Sequence, residues 1–156
     1  MILIADSSAL IALAVVDKLD VLDELFGEVY VPRAVYNEIS HQSKDESEKL
    51  ADYCKDKVLN IASETNLNVT LGIGESEAIM LYKEKRADFL LCDDKKAKKF
   101  ARNFGVNVVG SLGVLLKAKE EKLIVEINPL IEKLKFSQIF IDDKTFELVL
   151  KMAGEV

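Results

Sequence analysis

Tryptophan is absent from this sequence, histidine occurs once, at His41, and cysteine twice, at Cys54 and Cys92. The single histidine narrows the chemistry. A Ser–His–Asp or Cys–His arrangement would have to use His41, which stands in a polar stretch with no nucleophile motif around it and reads as surface. Neither cysteine belongs to a CxxC pair, which argues against a disulfide framework or a zinc site and suits a reducing cytoplasm. No apolar run reaches the roughly 18 residues that a membrane span needs. The opening MILIADSSALIALAVV is apolar, but it has no basic flank and Asp6 interrupts it. It is expected to be a buried strand running into a helix rather than a targeting segment. There is no Walker-type GK[ST], and Gly72-Ile73-Gly74 lacks the third glycine of a dinucleotide fingerprint. Internal repeats, linkers and low-complexity tracts are also missing.

What is present is a chain of 156 residues, 49% hydrophobic and 31% charged, which suits one α/β domain with a real core. Its net charge of −6 is the wrong sign for a generic nucleic-acid binder. That objection weakens if carboxylates converge on a bound cation, which would invert the local field.

Short apolar runs alternate with helical patterns. Ile2–Ala5 reads as a strand ending at Asp6, followed by helices Ala9–Val16 and Lys18–Phe26. Val29–Val31 is a strand, and Pro32 is expected in the first turn of the next helix. Lys44–Lys55 is an amphipathic helix, Lys57–Ala62 a strand and Glu64–Thr70 a polar loop. Then come a helix from about Glu75 to Lys85, a strand Asp88–Cys92, a helix Lys95–Phe104, a strand Val106–Val109 and a helix Leu112–Glu121. Asn128–Lys135 and Asp143–Ala153 are read as helices. The expected architecture is three-layer α/β/α around a central parallel sheet, a single domain over 1–156 with its core at about 2–125 and a helical extension at about 126–156.

Ligands of open parallel sheets bind beyond the carboxyl ends of the strands. Asp6 follows the first strand directly, Asp93 and Asp94 follow a later one, and Gly110-Ser111 follows another. Glu38, in the second turn of its helix, and Glu75 or Glu77, near the start of theirs, can join them. Each acid alone has an ordinary explanation: Asp6 and the Asp93-Asp94 pair as N-caps, Glu75 as a helix-dipole partner, Glu38 as a solvated side chain. Their joint order is what points to chemistry. Clustered carboxylates repel unless a cation lies between them, and oxygen-only donors suit Mg²⁺ or Mn²⁺, the ions of phosphodiester hydrolysis. Lys95, Lys96, Lys98, Lys99 and Arg102 stud one helix beside the acidic pair and are placed to guide a phosphate backbone, although a solvated helix face would look the same.

In this order the segments ADSSALIAL, PRAVYNEI, LGIGESEAIMLY and FLLCDDKKAKKFARNFGVNVVGSLGVLL resemble the motifs of PIN domains over about residues 2–125, closest to a prokaryotic branch related to VapC-type toxins. The resemblance implies an α/β/α fold and an Mg²⁺- or Mn²⁺-dependent ribonuclease, often the toxin of a toxin–antitoxin pair and often a homodimer. It implies a site of Asp6, Glu38, Glu75 and the Asp93-Asp94 pair, with Ser8 bracing the first acid. Glu75 and Glu77 compete for the third position. For the fourth, the family's usual spacing favours Asp94 over Asp93. Lys95, Lys96 and Lys99 would meet the RNA. The alternative is a catalytically inactive PIN fold that binds RNA or protein.

Overall fold

The computed structural model describes residues 1–41, 46–62, 71–137, 139 and 141–156. Four apolar residues in succession cannot face water on either side, and β1 (Ile2–Ala5) accordingly occupies the centre of the sheet with Leu3, Ile4 and Ala5 fully buried. It lies between β2 (Glu28–Pro32) and β4 (Phe89–Leu91). The short β3 (Val58–Leu59) and β5 (Val108–Val109) complete an all-parallel sheet of order β3-β2-β1-β4-β5. Leu3 stands between Val29 and Phe89, and Ile4 between Tyr30 and Leu90.

Successive side chains of a strand point to opposite faces. Leu3 and Ala5 enter a core shared with α1 (Ser7–Val15), α2 (Asp20–Phe26), α3 (Arg33–Ser40), α4 (Ser47–Cys54), α7 (Ser111–Glu120), α8 (Asn128–Phe136) and α9 (Asp143–Met152). Ile4 enters a second core with α5 (Ile73–Lys85) and α6 (Lys95–Asn103). The result is the α/β/α sandwich that the alternating pattern predicts. Strand order reverses between β1 and β4, and such a switch point opens a crevice at the carboxyl ends of the two strands.

Several boundaries differ from the sequence expectation. The strands Lys57–Ala62 and Val106–Val109 shrink to two residues each, because only Val58–Leu59 and Val108–Val109 find a partner strand at the sheet edges. Pro32 does not sit inside the helix. It ends β2 in an extended conformation (φ −60°, ψ 148°) and holds the N-cap position of α3, since its fixed φ is compatible with both states. The helix expected from Lys18 starts at Asp20, after a left-handed residue at Asp17 (φ 59°). The expected helix Lys44–Lys55 appears as Ser47–Cys54, its first residues lying outside the described ones, as does the polar loop 64–70.

At the C-terminal end, Leu130, Ile131 and Leu134 of α8 and Phe146 and Val149 of α9 turn inward and join the core of β1. Leu148 and Met152 face outward on α9. The Glu155 carboxylate ties this layer together, accepting from the amides of Ile127 and Asn128 at 2.8 and 2.9 Å and pairing with Lys119 Nζ at 2.8 Å. Among the described residues no helix is long and apolar enough to cross a membrane.

Candidate active site

Register carries the first acid to the crevice. The Asp6 amide donates to the Leu91 carbonyl at 2.9 Å, one step past the last paired residue of β1, and the Cys92 amide donates to Val109 at 2.9 Å. Asp6, Cys92 and Asp93 therefore leave neighbouring strands at one edge. Asp6 occupies the N-cap position of α1, yet its side chain makes no cap hydrogen bond. It is buried, only 2% exposed, with Oδ2 accepting from the Cys92 thiol at 3.5 Å and Oδ1 left with no partner among the described residues. A buried carboxylate oxygen without a donor is costly, so capping does not account for this residue.

The other acids come from helices that pack on each other. Gly74, near the start of α5, faces α3 so closely that a Cβ there would lie 3.2 Å from Glu38 Oε2, 3.4 Å from Val35 Cγ2 and 4.0 Å from Asp6 Oδ1. The absence of a side chain at Gly74 thus leaves the space in which Glu38 and the free oxygen of Asp6 face each other. Glu75 folds back over Gly72, where a Cβ would collide with its carboxylate, and it shares a small buried recess with Asp6 and Cys92. Glu77, its competitor in the sequence, points elsewhere and accepts from the Ala34 amide at 3.2 Å, capping the first turn of α3.

Burial, reinforced by the charges of Glu75 and Glu38, pushes the Asp6 carboxyl up to about 7. Burial also pushes the Cys92 thiol up, and the charge of Asp6 adds to this, so Cys92 keeps its proton and remains a donor.

The acidic pair after β4 divides its roles. Both oxygens of Asp93 are held by Ser111: its amide donates to Oδ1 at 2.7 Å and its hydroxyl to Oδ2 at 2.6 Å. The Asp93 amide in turn donates to Ser8 Oγ at 3.1 Å. Asp94 is exposed and caps α6 by accepting from the Ala97 amide at 2.9 Å. The Asp94 favoured by spacing has one oxygen in a cap, while both oxygens of Asp93 already accept from Ser111. Both residues line a cleft next to the Asp6 recess, together with Ser8, Lys95 and Lys98. Lys96 and Lys99 are exposed on the remainder of α6, whose Ala97 and Ala101 face the core. His41 ends α3 with its ring nitrogen 2.6 Å from the Asn37 carbonyl, as a surface residue would.

The structure thus brings Asp6, Glu38 and Glu75 together, sets Asp93 and Asp94 in the adjoining cleft and gives Glu77 to the helix scaffold. Among the described residues no group of three or more His, Cys, Asp or Glu side chains is close enough together to hold a metal ion as it stands. The orphaned Asp6 oxygen and the all-oxygen donors around it nonetheless fit a hard divalent ion, which commonly keeps several waters beside one or two carboxylates. Two contributors escaped the sequence reading. Cys92 carries no motif, and Ser111 was only a small residue after a strand, its partnership with Asp93 spanning separate segments. Ser111→Ala leaves Asp93 short of a hydrogen bond and should cost about 1–2 kcal/mol of stability in urea unfolding.

Carboxylates gathered at the switch point of a parallel α/β/α sheet stand where ligands of such sheets bind. The chain matches a family model described as a PIN domain over residues 2–155 and belongs to that family. PIN domains are generally nucleases and typically use divalent metal ions. The match takes in α8 and α9 as well as the segments that carry the acids. No curated protein matches the chain.

Proposed function

We propose that this protein is an Mg²⁺- or Mn²⁺-dependent endoribonuclease of VapC-like type, the toxin of a toxin–antitoxin pair acting in the cytoplasm. The observation that carries the reading is Asp6, a buried carboxylate with an unpartnered oxygen facing Glu38 across the space at Gly74. Asp6, Glu38 and Glu75, with Asp93 or Asp94, would hold the ion, which when bound supplies water activation and charge neutralisation at a phosphate. The chain's own residues do the rest. Cys92 orients Asp6, Glu77 anchors the helix that bears Glu38, and Ser8 and Ser111 fix Asp93. The reading also includes a separate antitoxin chain and a homodimer that would bury Leu148 and Met152.

The test incubates purified protein with mixed structured RNAs and Mn²⁺. Cleavage should occur, stop with EDTA and persist in His41→Ala. Cleavage that survives both EDTA and Asp6→Asn would reject the site. The second reading, an inactive module that binds RNA or protein, draws support from Asp94 being committed to its cap, and absence of cleavage on every RNA would favour it. Under either reading, replacing Lys95 and Lys99 together should weaken RNA binding and lower its salt slope by about two, because each contacts phosphate rather than the reacting bond. Titrations at several salt concentrations measure this, and an unchanged slope would remove these lysines from the interface.

A further inference from the structure

The cleft beside Asp93 is larger than an acidic site requires. Its volume is about 480 Å³, within the roughly 300–1,000 Å³ of small-molecule pockets. Its polar lining includes Asp93, Ser8, Lys95 and Lys98. Its apolar lining includes Ile11, Leu112, Ile139, Ile141 and Val149. The apolar wall comes from α1, α7 and the C-terminal layer, so it is continuous with the acid edge but built from different elements. Asp142 stands on its rim. One of its oxygens caps α9, accepting from the Thr145 amide at 2.7 Å and the Thr145 hydroxyl at 2.8 Å, while Oδ2 points toward Lys95 Nζ at 4.0 Å. Cations beside an apolar slot with a carboxylate acceptor at its mouth match a nucleotide part by part: phosphate on the lysines, the flat base in the slot, a base amino group on the acid.

We propose that this cleft is a nucleobase subsite, and that Asp142 selects bases bearing an exocyclic amino group over uracil. The subsite rests on the nuclease reading only for its place next to the cleaved phosphate. Its binding chemistry needs neither metal nor turnover.

The experiment measures equilibrium binding of CMP, UMP and ribose 5-phosphate to the full chain in EDTA. CMP should bind at least about tenfold more tightly than ribose 5-phosphate and more tightly than UMP. Asp142→Asn, which keeps an oxygen for the cap, should narrow the CMP–UMP difference. Leu112→Trp and Ile141→Trp, which fill the slot from two sides, should each bring CMP down to the level of ribose 5-phosphate. A readout on the unaltered chain guards against misfolded variants: the methyl resonances of Ile11, Ile139 and Ile141 should shift with CMP and not with ribose 5-phosphate. Equal binding of all three probes, or a base effect with those resonances unmoved, overturns the subsite. Base-dependent binding without RNA cleavage supports the subsite and overturns the nuclease reading. Cleavage without base-dependent binding does the reverse.

Discussion

Asp6→Asn should lower RNA cleavage at least about a hundredfold while making the metal-free protein more stable. The loss in rate follows from removing a carboxylate that would hold the ion, and with it the water activation and charge neutralisation the ion supplies. The gain in stability has a different origin. Asp6 is buried, one of its oxygens has no partner among the described residues, and Glu75 and Glu38 are near enough to disfavour its charge. An amide of the same shape bears no charge to desolvate and can donate to a neighbouring carboxylate. Mn²⁺ should raise the melting temperature of the wild type, because an ion that binds only the native state stabilises it by mass action, and should raise that of the variant much less. Single-turnover cleavage and thermal melts with and without Mn²⁺ measure the two halves. A variant that cleaves normally and keeps the full metal-induced shift would show that Asp6 is not a ligand.

The metal-free protein should also lose stability as pH rises from about 4 to about 7. In the unfolded chain Asp6 releases its proton near the ordinary aspartate value of 3.8, whereas in the folded chain it holds it to about 7. Between those values the native state binds more protons than the unfolded state, so raising the pH favours unfolding. The whole span corresponds to on the order of 4 kcal/mol. Asp142 and Glu155 are shifted the other way: hydrogen bonds from Thr145 lower the first, and Lys119 with the Ile127 and Asn128 amides lowers the second against the cost of its own burial. Their stabilisation is present above the ordinary carboxylate values and fades as pH falls. The measurement is therefore the difference between wild type and Asp6→Asn in denaturant unfolding in EDTA, which cancels the distant groups. The two curves should lie closest near pH 4 and separate toward pH 8, the variant being the more stable. Parallel curves would mean that Asp6 is ionised throughout.

The sheet was legible in the sequence because its strands are buried on both faces. ILIA before Asp6 and FLLC before Asp93 read as apolar runs of strand length, and the parallel arrangement follows from the helices between them. The ends of β3 and β5 were not legible, since a strand at a sheet edge extends only as far as its partner does, and partners belong to tertiary structure. Among the acids, Asp6 and Glu38 could be placed from strand end and helix turn. The choice between Glu75 and Glu77 could not, because it depends on which of them reaches the open amide of Ala34 on another helix. Asp93 and Asp94 pose the same problem: one answers to Ser111, far along the chain, and the other to Ala97, three residues on. Only the second kind of contact leaves a local signature.

The placement of β1 at the middle of the sheet also governs when the site comes into being. One neighbour, β2, follows soon after it in the chain, but its link to β4 closes over 86 residues, from the Ile2 amide to the Asp88 carboxylate. Pairings of such long sequence separation form slowly, because the entropy of closing the loop is lost before the contact is gained. A chain emerging from the ribosome can build β1, α1, β2 and α3, and with them Asp6 and Glu38, but the crevice has only one wall until β4 and β5 dock. On the proposed reading, phosphodiester chemistry would be withheld from any copy in which β4 and β5 have not yet docked.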